Sequence, residues 1–218
     1  MQKLTPILDP VNRKGDSLSR KMNHIHRSKI MAHILVILGH PSSKSWNAEL
    51  AQTYQQAALD AGADVRMLAL GDISFDPILW GGFQSEQPLE PALIQAQQDI
   101  EWADHIVFVF PMWWATMPAL LKGFIDRVML PNWAFAYQKN GLPKKLLKGR
   151  TARIITTMDS PNWWYRFLLR RSLHRTFVQG ILHFVGIKPV KETTIYSTRS
   201  LNEVQREKMM QNSLNITI

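Results

Sequence analysis

The chain contains no cysteine. Disulfides, thiolate nucleophiles and cysteine-ligated iron–sulfur clusters are therefore excluded, and a reducing compartment is compatible. No run of about 18 apolar residues occurs, so no membrane span is expected. Neither GxGxxG nor GxxxxGK[ST] appears, which removes the common dinucleotide fingerprint and the phosphate-binding P-loop. Acidic residues are scarce: 17 Asp and Glu face 26 Lys and Arg, for a net charge of +9. That excess is uneven. Residues 1–30 hold seven Lys/Arg and two Asp, a net of +5, and the remainder carries +4. The first thirty residues lack hydrophobic periodicity and the apolar core of a signal peptide. They read as an extension before Met31, either an upstream misread start or a basic arm, with 31–218 as a single domain. His24 and His26 fall in this extension and are taken as incidental. No metal cluster is expected.

What is present alternates. Apolar strands are expected at His33–Leu38, Val65–Leu70, His105–Phe110, Arg153–Thr157 and Thr193–Tyr196. Amphipathic helices are expected at Asn47–Ala61, Pro118–Met129, Trp163 to about Phe184, and Leu201–Gln211. Alternating strands and helices build a parallel sheet covered on both faces. The fold class is α/β, flavodoxin-like, with five strands in the order 2-1-3-4-5. Ligands of such sheets bind beyond the carboxyl ends of the strands, at the switch point. The loops after strands one, three and four are thus the ones to read.

The first loop is "GHPSSKSWNAEL", residues 39–50. It supplies His40 and the hydroxyls of Ser42, Ser43 and Ser45, and leads into a helix near Asn47. Unpaired amides and the helix dipole favour an anion there. A plain capped turn is the alternative. The second loop opens "FPMWWATMP", with Pro111, Met112, Trp113 and Trp114 at the strand end. Adjacent tryptophans cannot both enter one core, so at least one is expected to line a cleft and stack on a planar ligand; both packing under neighbouring loops is the alternative. The third loop, "TTMDSPNWW" at 156–164, adds Thr156, Thr157, Asp159 and further indoles. Phosphate donors at one loop and flat apolar surfaces at the others fit a flavin nucleotide.

"GHPSSKSWNAEL", "FPMWWATMPALLKGFIDRV", "FAY" at 135–137 and "ITTMD" at 155–159 resemble the NAD(P)H:quinone oxidoreductase family, the DT-diaphorase-like group of flavodoxin-fold flavoproteins. The resemblance spans roughly residues 31–200. It implies a homodimeric, cytoplasmic enzyme that uses FAD, with FMN as the alternative. Such an enzyme takes two electrons from NADPH or NADH and passes them to a quinone or another small aromatic acceptor. It implies that His40, Ser45, Trp46 and Asn47 hold the phosphate and ribityl portion. It places Pro111, Met112, Trp113, Trp114 and Ala115 along the isoalloxazine ring, and Thr156, Thr157, Met158, Asp159 and Trp164 at its polar edge. Tyr137, Trp114 and His174 are assigned to the substrate pocket, with Tyr137 reaching across a dimer. Two departures stand out. Met158–Asp159 replaces a Gly-Gly pair of relatives, whose missing Cβ atoms allow close approach to the ring. The tyrosine and histidine of mammalian relatives match Trp164 and Arg170 here, with Tyr165 and His174 nearby, so no catalytic proton relay is assigned.

Residues 139–175 hold ten Lys/Arg and one acid, Asp159. A solvated helix face, recognition of nicotinamide-cofactor phosphates, and contact with an anionic membrane surface are all open. Nucleic acid is not expected, because no recognisable binding motif accompanies the charge. The rival to the enzyme is a flavin- or nucleotide-binding ancillary subunit of a membrane transport system. A flavodoxin-type electron carrier is weaker still, since those proteins are typically acidic.

Overall fold

β1 (His33–Leu38) reads HILVIL and β3 (His105–Pro111) reads HIVFVFP. Almost every residue of both is buried, as expected of strands covered on two faces. The computed structural model describes residues 31–139 and 141–213. The N-terminal extension expected over 1–30 lies outside the described residues.

Around these strands the chain runs α1 (Trp46–Asp60), β2 (Asp64–Ala69), α2 (Pro91–Trp102), β3 and α3 (Ala119–Val128). A small antiparallel pair follows, β4 (Phe135–Ala136) with β5 (Lys144–Lys145). Then come β6 (Thr151–Thr157) and α4 (Asn162–Phe167). A helical run follows: α5 (Ser172–His174), a π-helix at Arg175–Leu182, and α6 (His183–Val185). β7 (Val190–Ile195) and α7 (Glu203–Ser213) close the order. The parallel sheet is β2-β1-β3-β6-β7. With the small pair set aside, that is the expected five-stranded order 2-1-3-4-5.

Alternate residues of β1 serve two cores, because strand side chains have period two. Leu35 and Ile37 face a layer built from Leu93, Ile100, Leu121, Phe124, Phe177 and Leu182. Ile34, Val36 and Leu38 face Leu50 and Tyr54 of α1, with Met209 and Met210 of α7 behind. The edge strands β2 and β7 carry exposed polar residues instead, which discourages further strand pairing.

Three differences from expectation have physical causes. Helix α2 was absent from the expected set, although Pro91 at its first turn and Leu93, Ala96 and Ile100 on one face are present. Its other buried position is Asp99, made tolerable by Arg66 at 2.7 Å. The helix expected from Trp163 to Phe184 is broken after α4, where Arg170 (φ 47°) and Arg171 (φ 55°) take left-handed conformations. β7 begins at Val190 rather than Thr193, because its partner β6 continues down to Ala152.

Candidate functional site

The carboxyl ends of β1, β3 and β6 converge, and their loops are bonded to one another. Ser45 caps α1: its hydroxyl accepts from the Ala48 amide at 3.2 Å and donates to the Ser42 carbonyl at 2.8 Å. Ser42 in turn accepts from the Lys44 amide. The loop is held from below by Gly71, whose Cβ, if present, would stand 2.2 Å from the Pro41 carbonyl oxygen. Only glycine permits that approach. The His40 ring bonds Ser42 and meets Trp113 edge-on at 5.5 Å, joining the first loop to the second.

Asn47 does not cap the helix. It is buried at the second residue of α1, where its Nδ2 donates to Thr157 Oγ1 at 3.1 Å and its Oδ1 accepts from the same hydroxyl at 3.2 Å. The two side chains clamp the first loop to the end of β6. Their polar atoms are engaged with each other, so Asn47 can offer a ligand its backbone amide rather than its side chain.

The second loop turns tightly. Trp113 and Thr116 exchange backbone hydrogen bonds at 2.9 and 3.0 Å, with Trp114 (φ 51°) and Ala115 (φ 62°) between them. This is the two-residue turn that Asn-Gly normally occupies. Left-handed conformations cost an L-residue roughly 1–2 kcal/mol. The strain leaves Trp114 100% exposed and Trp113 44% exposed. Ser172 donates to the Ala115 carbonyl at 2.7 Å, bracing the turn from the start of α5. Pro111 is buried in β3, and the Met112 amide donates to the Thr157 carbonyl at 2.8 Å.

The third loop is more inward than its sequence suggested. Thr156, Thr157 and Met158 are buried, and Met158 packs in the core rather than along an exposed face. Its amide and carbonyl are fixed to Ile195 and Thr198. Asp159 accepts from Thr198 Oγ1 at 2.5 Å and from Arg199 at 2.8 Å. Trp164 is exposed in α4, edge-on to Trp163.

Two residues expected at the substrate pocket lie apart from this convergence. Tyr137 is 73% exposed beside Phe135, at the rim of an apolar cavity lined by Met129, Ile181 and Phe184. His174 is buried behind the third loop. Its Nδ1 meets the Tyr165 hydroxyl, and its Nε2 lies 3.1 Å from Thr194 Oγ1 and 3.8 Å from Glu192. Burial pushes the His174 pKa down, with Glu192 opposing and Arg171 assisting. Burial pushes the Tyr165 hydroxyl up to about 12. Sequence reading left Tyr165, Ser172 and Gly71 unassigned. Only Gly71 carried a signal, as a glycine directly after a strand.

The donor set of the first loop suits an anionic group. No acid occurs between Gly39 and Ala48. The amides of Trp46 and Asn47 precede the first intrahelical bonds and have no carbonyl partner. The Trp46 indole Nε1 is buried without an acceptor. An unsatisfied buried donor costs about 1–3 kcal/mol, which a phosphate oxygen would relieve. With the exposed Trp113 and Trp114 alongside, the residues fit a flavin nucleotide.

Comparison with known proteins agrees with this architecture. The chain belongs to the flavodoxin-like fold family, whose pattern it matches over residues 32–216. It is 30% identical over 188 residues to an uncharacterized NAD(P)H oxidoreductase of Haemophilus influenzae, covering 81% of this chain and 90% of that protein. It is 25% identical over 206 residues to rat ribosyldihydronicotinamide dehydrogenase [quinone], covering 81% and 87%. The crystal structure of Smu.1420 from Streptococcus mutans superposes with a TM-score of 0.73 at 32% identity, covering 84% of this chain and all of that one.

Proposed function

We propose that the chain is a flavin-dependent NAD(P)H oxidoreductase that reduces a quinone or a similar small aromatic acceptor by two electrons. The observation that carries this reading is the convergence of three bonded loops at one sheet edge, with unpaired donors at the start of α1 and two exposed indoles beside them. The names of the Haemophilus and rat relatives support it. A bound flavin, FAD or FMN, would supply the two-electron hydride chemistry between the nicotinamide donor and the acceptor.

The chain's own residues bind and orient. The first-loop amides, Trp46 Nε1 and the Ser43 hydroxyl receive the phosphate. The exposed indoles of Trp113 and Trp114 would offer flat surfaces to the ring. The Asn47–Thr157 clamp keeps the loops in register. Met158 and Asp159 stand where a Gly-Gly pair would allow closer approach, with the Met158 amide and carbonyl and the Asp159 carboxylate already engaged by Ile195, Thr198 and Arg199. No side chain at the exposed edge is assigned a proton-transfer role. The Tyr165–His174 pair lies one layer behind, and its place there supports a positioning role for His174.

A homodimer is part of the reading. The apolar cavity beneath exposed Phe83 and Tyr137 is a face that a second copy would cover, and Tyr137 would then reach the partner's acceptor pocket. The need for a nicotinamide donor supports a cytoplasmic location.

The test is steady-state NADPH oxidation by the flavin-loaded protein with a soluble quinone. Parallel reciprocal plots, the mark of two half-reactions sharing one pocket, are expected. Tight flavin binding with no quinone-dependent oxidation would favour the ancillary-subunit role instead.

A further inference from the structure

Beside the third loop lies a cavity of about 270 Å³ lined by Arg166, Arg171, His174, Glu192, Thr194 and Tyr196. It adjoins the candidate flavin edge. Thr194 sits 3.5 Å from Thr156, the Met158 amide bonds the Ile195 carbonyl next to Tyr196, and Ser172 braces Ala115. No aliphatic side chain lines it.

Its charges do not cancel. Glu192 is taken by Arg171, with which it forms an ion pair. The left-handed turn at Arg170–Arg171 separates α4 from α5, and Arg171 pairs with that carboxylate. Arg166 makes no hydrogen bond or ion pair among the described residues. Burial pushes the His174 pKa down, against Glu192, and the fixed positive charges are the two guanidiniums. One uncompensated guanidinium, the remaining N–H groups of a second, and the Tyr196 hydroxyl form a donor set for a compact anion. Guanidinium pairs with phosphate through parallel charge-assisted bonds.

We infer that this cavity receives a phosphate of the pyridine dinucleotide donor, and that Arg166 makes the chain prefer NADPH or NADH over a phosphate-free dihydronicotinamide riboside. The inference rests on the oxidoreductase reading for its ligand, and on the cavity's own geometry for its chemistry.

The test compares Arg166→Gln with the parent in two ways. On flavin-loaded protein, kcat/KM for NADPH and NADH should fall by about tenfold or more, mainly through KM, while the riboside changes by less than about twofold. On flavin-free protein, calorimetric affinity for 2′,5′-ADP should fall by a similar factor, and Arg166→Lys should restore part of it. A parallel titration with AMP identifies the phosphate. Equal weakening of AMP and 2′,5′-ADP is expected, since a loss shared by NADPH and NADH requires the 5′-phosphate; weakening of 2′,5′-ADP alone, with NADH kinetics unchanged, would overturn that and assign the 2′-phosphate instead.

Three results would overturn the inference. The first is unchanged affinity and kinetics for every probe. The second is an equal loss for the riboside and the dinucleotides. The third is lost binding to phosphatidylserine vesicles with 2′,5′-ADP unaffected, which would assign Arg166 to a membrane contact. If no donor reduces the flavin, the oxidoreductase reading fails, and the 2′,5′-ADP titration still reports on the cavity.

Discussion

At Asn47 and Thr157 two short polar side chains, far apart in sequence, satisfy each other in a buried position at the heart of the candidate site. Asn47→Leu removes one partner and leaves the Thr157 hydroxyl unpaired. We expect a loss of about 1–3 kcal/mol in urea unfolding, accompanied by weaker flavin retention. Wild-type stability in that variant would show that the clamp contributes nothing. At the second loop the strain is local. Ala115→Gly relieves a left-handed alanine and should raise stability by up to about 1 kcal/mol by the same measurement. Trp114→Ala, at a fully exposed position, should leave stability within about 0.5 kcal/mol while lowering flavin affinity.

Among the elements, β3 carries the clearest pH dependence. His105 at its start is buried, with its Nδ1 2.6 Å from Thr151 Oγ1 of β6. Burial, with Arg153 and Lys191 nearby, lowers its pKa from 6.5 to about 4. The folded state therefore holds it neutral where the unfolded chain binds a proton. Stability is full above pH 6.5 and falls as pH drops from 6.5 toward 4, by up to about 3 kcal/mol. His105→Gln should flatten that acid limb in chemical-denaturation curves taken between pH 4 and 7. β3 itself was legible in sequence, because a strand buried on both faces is a continuous apolar run. Helix α2 was harder to see, since its core face includes an aspartate that only Arg66 of β2 makes tolerable. The β4–β5 pair has two-residue strands, too short for any periodicity. The site divides in the same way. Loop hydroxyls and paired indoles announce themselves locally. The Asn47–Thr157 clamp and the Arg166–Glu192 cavity depend on contacts between distant segments, which no local pattern encodes.

On the scale of the whole molecule, three loops converge at one end of the sheet, and two separate aromatic surfaces lie there and beside it. Trp113, Trp114, Trp163 and Trp164 lie on the loops and helix that follow β3 and β6. Phe83 and Tyr137 rim the apolar cavity assigned to a second copy. Light scattering should report a dimer, and Tyr137→Ser should weaken both dimerisation and quinone turnover if the partner subunit completes the pocket. Among the described residues, no helix is long and apolar enough to cross a membrane.

The most direct test of the central claim is a visible absorption spectrum of the purified chain after exposure to flavin, followed anaerobically by NADPH and then by a quinone. A protein-bound flavin spectrum that bleaches with NADPH and returns with the quinone is expected. A protein that retains neither FAD nor FMN would contradict it, and so would a bound flavin that NADPH never bleaches.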